Sequence, residues 1–229
     1  MTLLAVLVPL AILGVLVLAA VLFLQRGASG LDASPRQLLR IYLYVGSLVS
    51  VLVLVVGLSQ AVTGVLGSVA PDFTYGQQPV AVPAPAPSGA PNPVEPLRPG
   101  QQDQNDRRTR ESLLQGITGA VAGAIFWAVH WYGRRALEAP EERASFLRRG
   151  YYLLATAIFG IASIVLVPTA IYNTLHWFLI PAGPLDFRGG AGENVAAAIA
   201  VVPFWILFLR IVLSDYRAGP LREPVAAPS

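Results

Sequence analysis

The chain is organised as long unbroken apolar runs, with none of the two-residue alternation that marks half-buried strands. Leu3 to Leu24 is apolar throughout and is closed by Gln25 and Arg26. Ile41 to Pro71 carries no charge, and its apolar part ends near Leu66. Ser112 to Gly133, Gly150 to about Ile180, and Asn194 to Leu213 are further runs of this kind, the last interrupted by Arg210. A helix needs roughly 20 apolar residues to cross about 30 Å of hydrocarbon. The pattern therefore predicts an all-α fold, a polytopic transmembrane helix bundle with five spans.

The expected segments follow from these runs. Residues 1–33 form an N-terminal transmembrane helix and a short inner loop, and residues 34–68 a second span. Residues 69–110 form an external proline-rich loop, and residues 111–135 a third span. Residues 136–181 hold an inner connection and a fourth span, residues 182–214 an outer loop and a fifth, and residues 215–229 a cytoplasmic tail. Ser34-Pro35 reads as an N-cap followed by proline at the first helical position. Ala139-Pro140-Glu141-Glu142 reads the same way, with acids at the positive end of the helix dipole. Pro168 and Pro203 fall within spans four and five and predict kinks. The first run is read as a retained span, because Met1-Thr2-Leu3 supplies no positive charge of the kind a cleaved leader carries.

Composition sharpens this picture. Hydrophobic residues make up 55% of the chain and charged residues 13%, against about 25% charged in soluble domains. All 16 basic residues are arginine. With abundant Ala, Val and Pro, that points to a GC-rich bacterial gene and a cytoplasmic (inner) membrane. A net charge of +3 with no basic stripe away from the helix flanks argues against a nucleic-acid partner. The chain has no cysteine, which excludes disulfides, thiolate metal sites and a cysteine nucleophile.

Arginine placement sets an expected orientation. With the N-terminus outside, the inner side holds Arg26, Arg36, Arg40, Arg134, Arg135, Arg143, Arg148, Arg149, Arg210, Arg217 and Arg222. The outer side holds Arg98, Arg107, Arg108, Arg110 and Arg188. Arg40, Tyr42, Trp131, Arg134, Arg149, Tyr151 and Arg210 are expected at the inner membrane interface, and Trp177 at the outer one, where amphipathic rings and snorkelling arginines favour headgroup depth.

Two further patterns stand out. Arg40-Ile41-Tyr42 and Arg149-Gly150-Tyr151 align, and the following spans share Phe126-Trp127 and Phe204-Trp205. This is the pattern of a duplicated two-helix hairpin. Gln78 to Gly100 is dense in proline and favours an extended linker.

Candidate chemistry is sparse. No Asp, Glu or Lys falls inside a span, which disfavours cation-coupled transport. His130 and His176 are the weak candidates for cofactor binding, as haem ligands. Span three descends and span four ascends, so at about 1.5 Å per residue they should stand roughly 25–30 Å apart. No cofactor, metal or enzymatic constellation is predicted. Gly116, Gly119 and Gly123 form a close-packing face, and Ala196 and Ala200 have the same four-residue spacing.

Leu39-Arg40-Ile41-Tyr42-Leu43-Tyr44 before a long apolar helix, then Phe126-Trp127-Ala128-Val129-His130-Trp131 running into Arg134-Arg135, resembles a family of uncharacterised bacterial membrane proteins. That family is a domain of unknown function built from paired transmembrane helices, and the resemblance covers roughly residues 36–215. The second hairpin departs from it, with Phe208 and Leu209 where His-Trp would stand. The resemblance implies a fold and a membrane location and no catalytic residues.

These features favour a non-catalytic accessory or scaffold subunit, with the lipid bilayer and other membrane subunits, or a second copy, as its partners. A small transporter or channel is the alternative, and a haem- or quinone-binding electron-transfer subunit a third reading.

Overall fold

The structure, a computed structural model, describes residues 35–77, 98–137, 146–181 and 188–217. The first predicted span, the Ala139-Pro140 helix start and most of the proline-rich segment lie outside the described residues. Five helices and one short two-stranded ladder are seen among them. Four helices contain stretches long and apolar enough to cross a membrane: Leu39–Val69, Gln102–Leu137, Leu147–Leu179 and Gly192–Arg217.

Helix α1 spans Pro35–Val69. It ends because Pro71 follows: the residue before a proline is pushed out of the helical region, and Ala70 sits at φ −140°, ψ 72°. Pro71 then starts a single turn, α2 (Pro71–Tyr75), with Asp72 at its positive end. Gly76 closes that turn at φ 87°, a left-handed conformation that glycine adopts without strain.

Gly76–Gln77 forms β1, which pairs antiparallel with β2 (Arg188–Gly189), Gly76 opposite Gly189 and Gln77 opposite Arg188. The backbone of Ala191 donates to the Phe73 carbonyl at 2.7 Å. Thr74 is buried against Gly190 and Gly192, where an added Cβ would strike the Thr74 backbone. This clasp fastens the end of α1 to the start of the last helix.

Helix α3 spans Arg98–Leu137, α4 Phe146–Leu179 and α5 Gly192–Arg217. The core lies where α1, α4 and α5 converge. Val51, Val55, Phe159, Leu166 and Val201 are almost completely enclosed there. Phe159 stacks on Phe208 with ring centres 5.6 Å apart and planes 6° from parallel. Helix α3 stands outside this core and packs along α1.

One expectation changes. Residues 98–110 belong to α3, where a loop to residue 110 is expected from polarity. The segment is an amphipathic extension: Asn105 and Thr109, one turn apart, are buried, while Asp103, Gln104, Asp106, Arg107, Arg108 and Arg110 are exposed. Arg107 and Glu111 pair across one turn at 2.8 Å. Pro168 and Pro203 lie inside continuous helices, and both are exposed on the outer surface, away from the packed core.

Replacing Phe159 with alanine should lower stability by about 3–5 kcal/mol. Replacing the outward-facing Ile164 with alanine should change it by less than about 0.5 kcal/mol. Denaturation midpoints of the purified protein in mild detergent check both, and equal losses would contradict the placement of the core.

Candidate functional site

The helix-packing glycines define the first part of the site. Gly116, Gly119 and Gly123 recur at intervals of three and four, so they line one face of α3. That face lies on α1. An added Cβ at Gly116 would strike the Ala61 backbone, and one at Gly123 the Leu54 backbone. A Cβ at Gly119 would lie 3.2 Å from the Gly57 Cα. Gly57 itself faces the Ala120 backbone, and Gly64 faces Leu113. The two helices therefore meet backbone to backbone, which side chains larger than hydrogen would prevent. Gly46, Gly57 and Gly64 were not singled out from the sequence. Their spacings of eleven and seven residues, near whole numbers of helical turns, were the available signal.

The expected small-residue face on α5 packs elsewhere. Ala196 and Ala200 are buried, and Ala197 and Ala200 belong to the core cluster shared with α1 and α4.

Towards the start of α1, the seam widens to admit side chains. The His130 ring lies against Gly46, and its Nδ1–H donates to the Phe126 carbonyl at 2.7 Å. Tyr42 sits beside it, ring centres 5.5 Å apart. Nδ1 is thus engaged, and the Nε2 edge of the ring faces Gly46. His176 stands at the other end of the bundle. Its ring lies 5.9 Å from that of Tyr172, and its neighbour Trp177 meets Phe73 edge-on at 5.8 Å, beyond the end of α1. From Gly46 to Val69, α1 rises about 35 Å. The two histidines do not share a site.

One turn beyond His130, Arg134 reaches from α3 across α1 to α4. It is only 6% exposed. Its guanidinium carbon lies 4.9 Å from the Tyr44 ring centre and 4.8 Å from that of Tyr151. The two rings are themselves 5.3 Å apart, and the Tyr151 hydroxyl shares a 3.1 Å hydrogen bond with Ser47 Oγ. Arg134 and Tyr151, expected at a lipid–water boundary, are thus enclosed by protein, because three helices converge on them. The aromatic faces attract the cation, but Arg134 Nε and Nη1 have no hydrogen-bond partner. A buried guanidinium with open donors carries a desolvation cost of several kcal/mol.

Other basic groups surround this end of the bundle. Arg148 Nη2 lies 3.5 Å from Asp215 Oδ1, joining α4 to α5, with its guanidinium over Tyr152 at 5.7 Å. Arg135 covers Trp131 at 4.0 Å. Arg40 lies one turn before Tyr44, and Arg149 is exposed at the start of α4. Arg210 is exposed beside Leu213, Ser214 and Arg217 around an open depression. Among the described residues, no three or more His, Asp and Glu side chains gather to hold a metal ion.

Gly57→Val should force α1 and α3 apart and lower stability by about 1–3 kcal/mol or more. Gly100→Val, at an open position, should be far milder. Tyr151→Phe leaves the ring on Arg134 and removes the bond to Ser47, for a loss of about 1 kcal/mol. Detergent unfolding curves read each effect.

No curated protein and no solved structure matches the chain. A domain described as "Domain of unknown function (DUF5671)" is found at residues 94–207. It takes in α3, α4 and most of α5 and leaves α1 outside, a narrower extent than the expected residues 36–215; this chain therefore contains a domain of unknown function whose described part is mainly helical.

Proposed function

We propose that this chain is a multi-pass membrane protein acting as a non-catalytic accessory or scaffold subunit of a membrane complex. The observation that carries this reading is the distribution of polarity across the helices. On α3, small residues face α1, while Leu114, Ile117, Val121, Ile125 and Val129 are exposed on another face. On α4, Ile164, Ile171 and Leu175 are likewise exposed. Contiguous apolar surface of this extent is unfavourable in water and is what lipid or a partner helix covers.

A packing role is supported by how the buried hydroxyls are used. Ser50, Thr63 and Ser163 each donate to the carbonyl four residues back in their own helix. Those groups are engaged internally, which favours a scaffold over a polar conduit through the bundle. Arg40, Arg134, Arg135, Arg148 and Arg149 stand at one end of the bundle, which supports that end as the cytoplasmic side. On that reading the N-terminus is outside and the C-terminus inside, in the cytoplasmic membrane of a bacterium. Helix α3, the least enclosed of the four long helices, offers the broadest surface for a partner subunit.

The chain should remain in the membrane pellet after an alkaline carbonate wash. Affinity purification in mild detergent should recover it with a second membrane protein in fixed ratio. Recovery in the supernatant would end the membrane reading. A lone oligomer that moves solutes into liposomes would replace the scaffold role with transport, and a Soret absorption band would replace it with electron transfer.

A further inference from the structure

Ile199, Pro203, Ile206, Arg210, Leu213 and Arg217 are exposed on α5 and recur at steps of four, three, four, three and four. They therefore form one stripe along the outer face of that helix. At Ile199 the stripe borders an open groove of about 310 Å3 between α4 and α5, walled also by Ala170, Ile171, Leu175 and Ala198. At its other end the stripe carries two cations. Arg210 and Arg217, with Leu213 and Ser214 between them, surround an open depression of about 490 Å3.

We propose that this stripe binds one anionic phospholipid, its phosphate seated between Arg210 and Arg217 and one acyl chain running past Ile206 and Pro203 to the groove at Ile199. The inference rests on the membrane reading given above, and four observations support it.

Charge is the first. Among the described residues neither Arg210 nor Arg217 has an ion pair. Asp215 lies between them in sequence but about 140° round the helix from Arg210. Its carboxylate is turned to Arg148 of α4, at 3.5 Å. Depth is the second. Arg148 is the second residue of the apolar stretch Leu147–Leu179, so its pairing with Asp215 marks the height of the membrane boundary on α5. Arg210 stands inside that height and Arg217 beyond it. An anion between them sits where headgroups give way to acyl chains.

The gap between the two cations is the third. Ser214 Oγ donates to the Ile211 carbonyl at 2.8 Å, so this small side chain is turned back on its own helix and leaves the depression open. The arginines are seven residues apart, about two turns or 10 Å along the axis. Their long side chains can close on one phosphate, whose oxygens match the guanidinium fork. Length is the fourth. Ile199 stands eleven residues from Arg210, about three turns or 16 Å. That is about half of a hydrocarbon core roughly 30 Å thick, the reach of one leaflet.

The full chain, purified in mild detergent, provides the test by native mass spectrometry and thermal unfolding. Wild-type protein should retain phosphatidylglycerol in excess of its share of the membrane. Adding dipalmitoyl-phosphatidylglycerol to the delipidated protein should raise its melting temperature, while phosphatidylcholine and inorganic phosphate should not. The dihexanoyl form, whose chains end short of Ile199, should raise it less. Arg210→Gln and Arg217→Gln should each weaken phosphatidylglycerol retention roughly fivefold, as the loss of one interfacial charge implies. Ser214→Glu places a carboxylate within one turn of both arginines and should abolish selective retention. Arg149→Gln removes an exposed charge at the same end of the bundle, away from the depression, and should leave retention unchanged.

Retention of lipids in bulk proportion, or unchanged retention in Ser214→Glu, overturns the proposal. Equal losses in Arg149→Gln and Arg210→Gln overturn it in favour of diffuse attraction to the bundle end. Stabilisation by inorganic phosphate equal to that by the lipid overturns the lipid and leaves a free-anion site. Equal stabilisation by the two chain lengths overturns the path to the groove. Lipid indifference in a chain that still pellets with membranes refutes this site alone, whereas a chain found in the supernatant refutes the membrane reading beneath it.

Discussion

The backbone contact between α1 and α3 is the constraint on which the arrangement depends. Helix α3 supplies none of the buried residues of the core formed by α1, α4 and α5, and meets it through the partly buried Trp127. What holds it is a seam in which Gly57, Gly116, Gly119 and Gly123 let two main chains approach until no side chain fits between them. In an apolar solvent, burying hydrocarbon gives little net driving force for helix pairing, and close van der Waals packing takes its place. The seam also sets position. With Gly46 against His130 and Leu43 over Gly133, Arg134 falls at the height where it meets Tyr44 and, across α1, Tyr151. A seam one turn out of register would leave that guanidinium on the outside.

The two ends of the bundle solve different problems. At the end where α1 finishes, polar backbone must leave the helices, and it is satisfied locally: α2, the β1–β2 ladder and the Ala191-to-Phe73 bond take up donors and acceptors that would otherwise be exposed. At the opposite end, charges gather, and they are held by aromatic faces as much as by acids. Arg134, Arg135 and Arg148 each lie over a tyrosine or tryptophan ring. A cation so placed keeps an attraction that survives partial desolvation, where an exposed ion pair contributes little.

Much of the architecture was legible in residue order because long apolar runs have few structural solutions. Four of the five predicted runs fall on helices, and the fifth, Leu3 to Leu24, lies outside the described residues. The packing role of Gly116, Gly119 and Gly123 could be read from their spacing alone, but their partner could not. Spacing identifies a face and says nothing about which helix it meets. The start of α3 was hidden because Gln, Asp, Asn and Arg resemble a loop by composition, and the buried pair Asn105 and Thr109 is too small a signal to reveal an amphipathic face. Arg134 and Tyr151 were recognised as residues of one bundle end. Their enclosure depends on three helices meeting, a tertiary fact that no window along the chain contains.

The β1–β2 clasp has a consequence for how such a chain can change over time. It fixes Gln77 on one side of the segment 78–97, and the helical start at Arg98 fixes the other. Chain closure costs only about 0.6 kcal/mol for each doubling of length, so the entropy of joining those two anchors depends weakly on the number of residues between them. In closure entropy alone, lineages can therefore lengthen or shorten the segment between these two anchors at small cost.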